Sequence, residues 1–239
     1  MARYLMRCTR LLAMYHGGKT NRYFSQGNKA MLKEVEQQDG ICGGLSGHWI
    51  AYRHNNSSLW DALYTITSGC FVSSSSLNWE VFQTIVNDHN RWGRSGGNGL
   101  VVFMGEHFLN KVGEQCIENL NGFIPNPMLP DGVVEGKTID NMAYRITQEI
   151  QRGKMLFNAK YALVSFCRPC GDPGPNGHEV AIAMTNNNTF ILFDPNYGEY
   201  EFPNFKKFSS FFSSFFYARY TSRNKKFDFR KRSKISFWS

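Results

Sequence analysis

The sequence predicts an α+β fold, and three observations carry that prediction. Apolar residues recur at steps of three and four through several segments before residue 153, and at steps of two after residue 158. Helical segments therefore come first and strands second, which argues against the alternation of a doubly wound sheet. The length of 239 residues, 42% hydrophobic and 15% aromatic, is enough to bury a substantial core and excludes bulk disorder. No apolar run approaches the roughly eighteen residues that a spanning helix requires.

Met1, Tyr4, Leu5, Cys8, Leu11, Leu12 and Tyr15 lie at helical steps with Arg3, Arg7 and Arg10 on the other side, so residues 1–15 read as an amphipathic helix. Its arginines interrupt the apolar side too often for a secretory signal, although an acid-free start of this kind is shared with organelle transit peptides. Residues 16–28, rich in Gly, Asn and other polar residues, read as a linker. A helix is predicted to start close to Cys42, with Leu45, Trp49 and Tyr52 on related faces. Residues 77–91 and 106–119 carry similar helical spacing, with a glycine-rich loop at 93–99 between them and a Pro/Gly connection at 121–136. Thr138 is the expected N-cap of a further helix, with Met142, Ile146 and Ile150 on one side and Gly153 as its stop.

Tyr161, Leu163 and Ser165 then alternate with Ala162, Val164 and Phe166, the period of a strand. A hairpin is expected from Val180, Ile182 and Met184 through an Asn186-Asn187-Asn188 turn to residues 190–193, with a short strand near 200–202. Phe205, Phe208, Phe212, Phe215 and Phe216 mark a helix ending near Tyr220.

Charge is unevenly placed. Residues 1–33 carry +7, residues 34–202 carry −8 and residues 203–239 carry +9. An acidic body with two basic ends can meet nucleic acid, anionic lipid or an acidic protein, or be no more than well solvated. Cys8, Cys42, Cys70, Cys116, Cys167 and Cys170 are irregularly spaced in a chain long enough to fold without crosslinks, so reduced thiols are expected. Cys167 and Cys170 have CxxC spacing, but one such pair cannot close a tetrahedral metal site. No metal or cofactor is expected.

The chemistry centres on Cys42. Unpaired N–H groups and the dipole at a helix start favour an anionic sulfur, and Gly43 and Gly44, poor helix formers, let a backbone or a substrate approach closely. His178 and Asp194 are symmetric about residue 186 in the predicted hairpin, so they should face each other or nearly so, close enough for the carboxylate to orient the imidazole. Bringing His178 to Cys42 completes nucleophile, base and orienter. His178 follows Cys42 by 136 residues, a separation within the range of papain-type proteases. Gln37, or Gln38 beside it, lies where such enzymes place an oxyanion-stabilising glutamine. Read singly, Cys42 is a small buried hydrophobe, His178 a satisfied strand histidine and Asp194 a turn residue. Order, spacing and symmetry together favour catalysis. His16, His48, His54, His89 and His107 have no partner pattern and read as structural or exposed.

The strings Gly40-Ile41-Cys42-Gly43-Gly44-Leu45-Ser46, Gly177-His178-Glu179-Val180-Ala181 and Phe193-Asp194-Pro195-Asn196-Tyr197-Gly198-Glu199 resemble the three motifs of the YopT and AvrPphB group of bacterial effector cysteine proteases. The resemblance runs from about residue 35 to 220. It implies a papain-like fold, with the Cys-bearing helical part packed on an antiparallel sheet bearing His and Asp, and a triad of Cys42, His178 and Asp194. It also implies secretion into the host-cell cytoplasm, where the substrate is a host protein such as a prenylated Rho-type GTPase or a kinase. The organisation expected is a basic helix and linker at 1–33, a papain-like catalytic domain at 34–220 and a basic tail at 221–239.

Two rivals stand beside a cysteine endopeptidase acting as a monomer. A protein-glutamine deamidase or transglutaminase uses the same triad, and a non-catalytic module could work through its basic ends. The interleaving of Lys and Arg with Phe227 and Phe229 suits a phospholipid surface or single-stranded nucleic acid. No nucleic-acid-binding motif accompanies it, so specific nucleic-acid binding is not expected.

Overall fold

The computed structural model describes residues 2–26, 41–68, 73–95, 98–118, 141–167, 177–220 and 232–239. The first half holds α1 (Ala2–Tyr15), β1 (Lys19–Arg22), α2 (Cys42–His54), α3 (Leu59–Leu63), β2 (Tyr64–Ser68), β3 (Ser73–Leu77), α4 (Trp79–Arg94), α5 (Asn98–Glu106) and β4 (Lys111–Glu118). The second holds α6 (Asn141–Phe157), β5 (Tyr161–Cys167), β6 (His178–Met184), β7 (Phe190–Asp194), β8 (Gly198–Phe202), α7 (Phe205–Tyr220) and β9 (Arg232–Trp238).

A seven-stranded antiparallel sheet in the order β1-β8-β7-β6-β5-β9-β4 organises the molecule. Because strand side chains alternate, its inner strands serve two cores. Val180, Ile182, Met184, Phe190 and Leu192 face α6 and α7, with Met142, Ile146, Ile150 and the phenylalanines Phe208, Phe211, Phe212, Phe215 and Phe216. Ala181, Ala183, Ile191 and Phe193 face α2 and its neighbours, with Leu45, Trp49, Ile50, Phe82 and Trp92. The small residues Ala181 and Ala183 let α2 lie directly on β6. The fold is thus α+β, with the Cys-bearing helices on one side of an antiparallel sheet that carries His and Asp.

Several expectations are corrected. Residues 232–238 are not a tail: β9 pairs antiparallel with both β5 and β4 inside the sheet. Ser233, Ile235 and Phe237 turn inward, while Lys234 reaches the Glu114 carboxylate at 3.0 Å, so basic alternation marks the outer face of a strand. The predicted linker contains β1, which pairs with β8 and binds the amino-terminal segment to the sheet. The helix expected over 106–119 is instead the end of α5 followed by β4. The chain breaks between them at Phe108, whose φ of 60° is left-handed. The Pro/Gly connection and the Thr138 cap lie outside the described residues.

Gly153 does not stop α6, which runs on to Phe157. A Cβ at Gly153 would lie 2.2 Å from the Phe237 ring, so this glycine makes room for β9. Gly198 is needed for its backbone, with φ at +106° and a would-be Cβ 2.2 Å from the Arg22 carbonyl oxygen. Gly198→Ala is expected to cost about 2 to 4 kcal/mol by strain and displacement of β1, measured as a lower urea midpoint at unchanged slope.

Candidate active site

Helix α2 begins without a capping side chain. Ser58 accepts N–H bonds at the start of α3 and Asn78 at the start of α4, but the residue before α2 is Ile41, which offers nothing polar. Tertiary partners replace the cap: Gln26 Oε1 accepts the Ile41 N–H at 2.9 Å and His89 Nδ1 accepts the Gly44 N–H at 3.2 Å. Cys42 is the first residue of this helix and is 9% exposed.

Gly43 and Gly44 are explained by packing. A Cβ at Gly43 would lie 2.3 Å from Glu179 Oε2, and one at Gly44 would lie 2.8 Å from the Ile85 carbonyl oxygen and 2.9 Å from His89 Cβ. Strand β6 and helix α4 therefore occupy the space that the sequence reading left open for a substrate. Glu179 is anchored by Ser165, whose hydroxyl donates to Oε1 at 2.6 Å, and burial pushes its carboxyl pKa up.

The hairpin register differs from the symmetric estimate. Ala181 pairs with Phe193 and Met184 with Phe190, which would set Asp194 opposite Val180 and His178 one diagonal step away. Both side chains still fall on the α7 face of the sheet and meet there. His178 Nε2 lies 3.1 Å from Asp194 Oδ1, at 5% and 0% exposure for the two residues. The same oxygen accepts the Asn196 N–H at 2.7 Å, and the other accepts the Tyr220 hydroxyl at 2.5 Å. Burial and the Asp194 charge hold the Tyr220 hydroxyl protonated, so it stays a donor. Tyr220 and Phe166 also stack on the imidazole, with ring centroids 5.1 and 6.1 Å away.

The Cys42 sulfur lies near enough to act electrostatically on the His178 ring, whose Nε2 is turned to Asp194. Burial opposes charge on the ring, but Asp194 and the Cys42 sulfur outweigh it and push the imidazole pKa up to about 10. Helix α2 and strands β6 and β7 thus place Cys42, His178 and Asp194 in one region of the fold. Gln37 and Gln38 lie outside the described residues, as does Cys170. Among the described residues no cluster of His, Cys, Asp and Glu could hold a metal ion, and Cys8, Cys42 and Cys116 are free thiols.

Most of the remaining histidines are held elsewhere. His48 is buried against Asp88 at 3.0 Å, His16 bonds Ser210 and Ser214, and His107 bonds Asn55. Sequence reasoning missed three contributors. Gln26 steadies the start of α2 and also donates to Asn196 Oδ1 at 3.1 Å, linking the helix to the turn after Asp194. Glu199 is a buried carboxylate that accepts the indole N–H groups of Trp49 at 2.8 Å and Trp60 at 3.2 Å and the Asn21 amide at 2.9 Å. It closes the Asp194-Pro195-Asn196-Tyr197-Gly198-Glu199 motif, the one signal that could have marked it. His89, the third, carried none. A cavity of about 440 Å³ opens beside Glu199, Arg22 and Arg53, about two to three turns along α2 from the thiol.

A helix that starts at a thiol lies on an antiparallel sheet that carries a histidine paired with a buried carboxylate. Residues 11–76 and 135–231 match the Peptidase_C58 family, described as Yersinia/Haemophilus virulence surface antigen, and the chain belongs to that family. It is a cysteine peptidase of the virulence-effector class. Among solved structures it is similar to the Pseudomonas avirulence protein AvrPphB, at 13% identity over 86% of this chain and 94% of that one, with a TM-score of 0.47. It is also similar to the YopT domain of the Pasteurella multocida PfhB2-toxin, at 19% identity over 90% and 93% of the two chains, with a TM-score of 0.26. No curated protein matches it.

Proposed function

We propose that Cys42, His178 and Asp194 form the catalytic triad of an endopeptidase that is secreted by a bacterium and cleaves a host protein in the host cytoplasm. The pairing of His178 with the buried Asp194, with the Cys42 sulfur near enough to act on the same ring, supports this reading. The Cys42 thiolate attacks a peptide carbonyl carbon, and the imidazolium at His178 gives its proton to the leaving amine. His178 then takes a proton from water, whose oxygen attacks the thioester carbon and expels the sulfur, releasing the acid and restoring the thiolate and imidazolium. Asp194 orients the ring throughout. Gln37 joins the Cys42 N–H in binding the oxyanion. A prenylated Rho-type GTPase or a kinase is the substrate class that the family resemblance suggests.

The test is a comparison of new protein N-termini in host lysate treated with wild-type protein or with Cys42→Ala. New termini found only with the wild type support the assignment. Intact chains in which glutamine amides have become acids would instead identify a deamidase.

The membrane contact foreseen for the basic ends falls to α1. Its exposed surface carries Tyr4, Leu11, Met14 and Tyr15 together with Arg7 and Arg10, a mixture suited to an anionic lipid interface. No described helix is long and apolar enough to cross a membrane. Vesicles with anionic lipid should retain the protein at low salt and release it at high salt. Retention that ignores lipid charge would dismiss the idea.

A further inference from the structure

We propose that His89 is a positioning residue for the nucleophile, supplied by α4 to close the first turn of α2 where an N-cap side chain would otherwise sit. The inference rests on the reading of Cys42 as that nucleophile.

A helix start leaves its first N–H groups without intrahelical acceptors, and an N-cap side chain ordinarily takes the N–H of the second or third residue. With Ile41 at the cap, Gly44 is the third residue, and its N–H goes to His89 Nδ1 at 3.2 Å. The imidazole therefore makes the bond that a Ser, Asp or Asn at position 41 would make. The difference is the direction of approach. A capping side chain at 41 would lie over the helix mouth beside the sulfur, where a substrate carbonyl has to enter. His89 reaches the same turn from the flank and takes the Gly44 N–H, leaving those of Cys42 and Gly43, which a helix start provides with no intrahelical acceptor. Those two donors stay available to an oxyanion.

The local sequence is shaped to this contact. A Cβ at Gly44 would lie 2.9 Å from His89 Cβ, and one at Gly43 would lie 3.2 Å from His89 Nδ1. Only glycines allow the ring so close. Gln26 holds the Ile41 N–H, so the turn is gripped on both sides of Cys42. Acceptance at Nδ1 requires a neutral ring, and burial lowers the His89 pKa in keeping with that. Near it are Glu179 on β6, which faces the same would-be Cβ of Gly43, and Asp88 and Arg91 beside it on α4. Asp88 is occupied by His48 and Arg91, both at 3.0 Å.

The experiment measures the rate at which iodoacetamide alkylates Cys42, by mass spectrometry, in the wild type and in His89→Ala, His89→Asn and His89→Gln. Asn places an amide oxygen where the imidazole has Nδ1, whereas Gln places it near the Nε2 position, out of reach of the Gly44 N–H. The Ala and Gln variants are expected to be about 10- to 100-fold slower, with Asn recovering most of the loss. Should the Ala variant fail to fold, the contrast between Asn and Gln decides. Equal rates for Asn and Gln, or an Ala variant as fast as wild type, overturn the proposal. A wild type whose Cys42 reacts no faster than Cys8 and Cys116 removes the nucleophile assignment itself, and this inference with it. That outcome is distinct because only then is the wild type slow.

Discussion

Cys42→Ala is expected to eliminate proteolysis, lowering turnover by at least about 10⁴-fold, because it removes the sulfur that forms the thioester. The fold should survive. Alanine removes one sulfur from the first turn of α2 and leaves untouched the bonds of Ile41 to Gln26 and of Gly44 to His89. Circular dichroism and the urea midpoint check the fold, and the appearance of new N-termini in host lysate checks turnover. Retained cleavage by a folded Cys42→Ala protein would overturn the assignment.

Asp194→Asn is expected to reduce turnover by about 10³- to 10⁴-fold without unfolding the protein. Asp194 accepts from three donors: His178, the Asn196 N–H and the Tyr220 hydroxyl. An amide has only one acceptor oxygen, so its NH₂ must confront a donor, and either the imidazole or the tyrosine loses its partner. The variant also loses the charge that raises the His178 pKa to about 10. In the wild type the folded pKa exceeds the unfolded value of 6.5. The stability due to this ion pair is therefore fully present below pH 6.5 and is lost as pH rises through about 10. The alkaline limb of turnover, which requires the imidazolium as proton donor, should fall in the same region and move to lower pH in Asp194→Asn. A limb at the same pH in both proteins would show that Asp194 does not tune this histidine.

Much of this was readable along the chain because its causes are local. The α2 start at Cys42, the two arms of the hairpin and the phenylalanine helix ending at Tyr220 follow from periodicities within one element. The pairing of His178 with Asp194 was legible because only one short turn separates their strands. Strands β4 and β9 were not legible, since each is stabilised mainly by pairing with distant chain. Lys111–Glu118 is covered by Arg232–Trp238, more than a hundred residues away, and neither has a hairpin partner beside it. Read alone, Arg232 and Lys234 look like a solvated tail. Gly153 misled for a related reason, as its cause is the Phe237 ring from the far end of the chain.

The chain order of thiol, imidazole and carboxylate, the helix start that holds the first and the hairpin that holds the other two were determined by the sequence alone, through short-range geometry. Tertiary structure decided what surrounds them. Tyr220 on the second Asp194 oxygen, Gln26 and His89 at the α2 start, and Glu199 beneath Trp49 and Trp60 come from separate elements. A side chain's partner across space is set by how whole helices and strands pack, and no spacing along one strand of text records it.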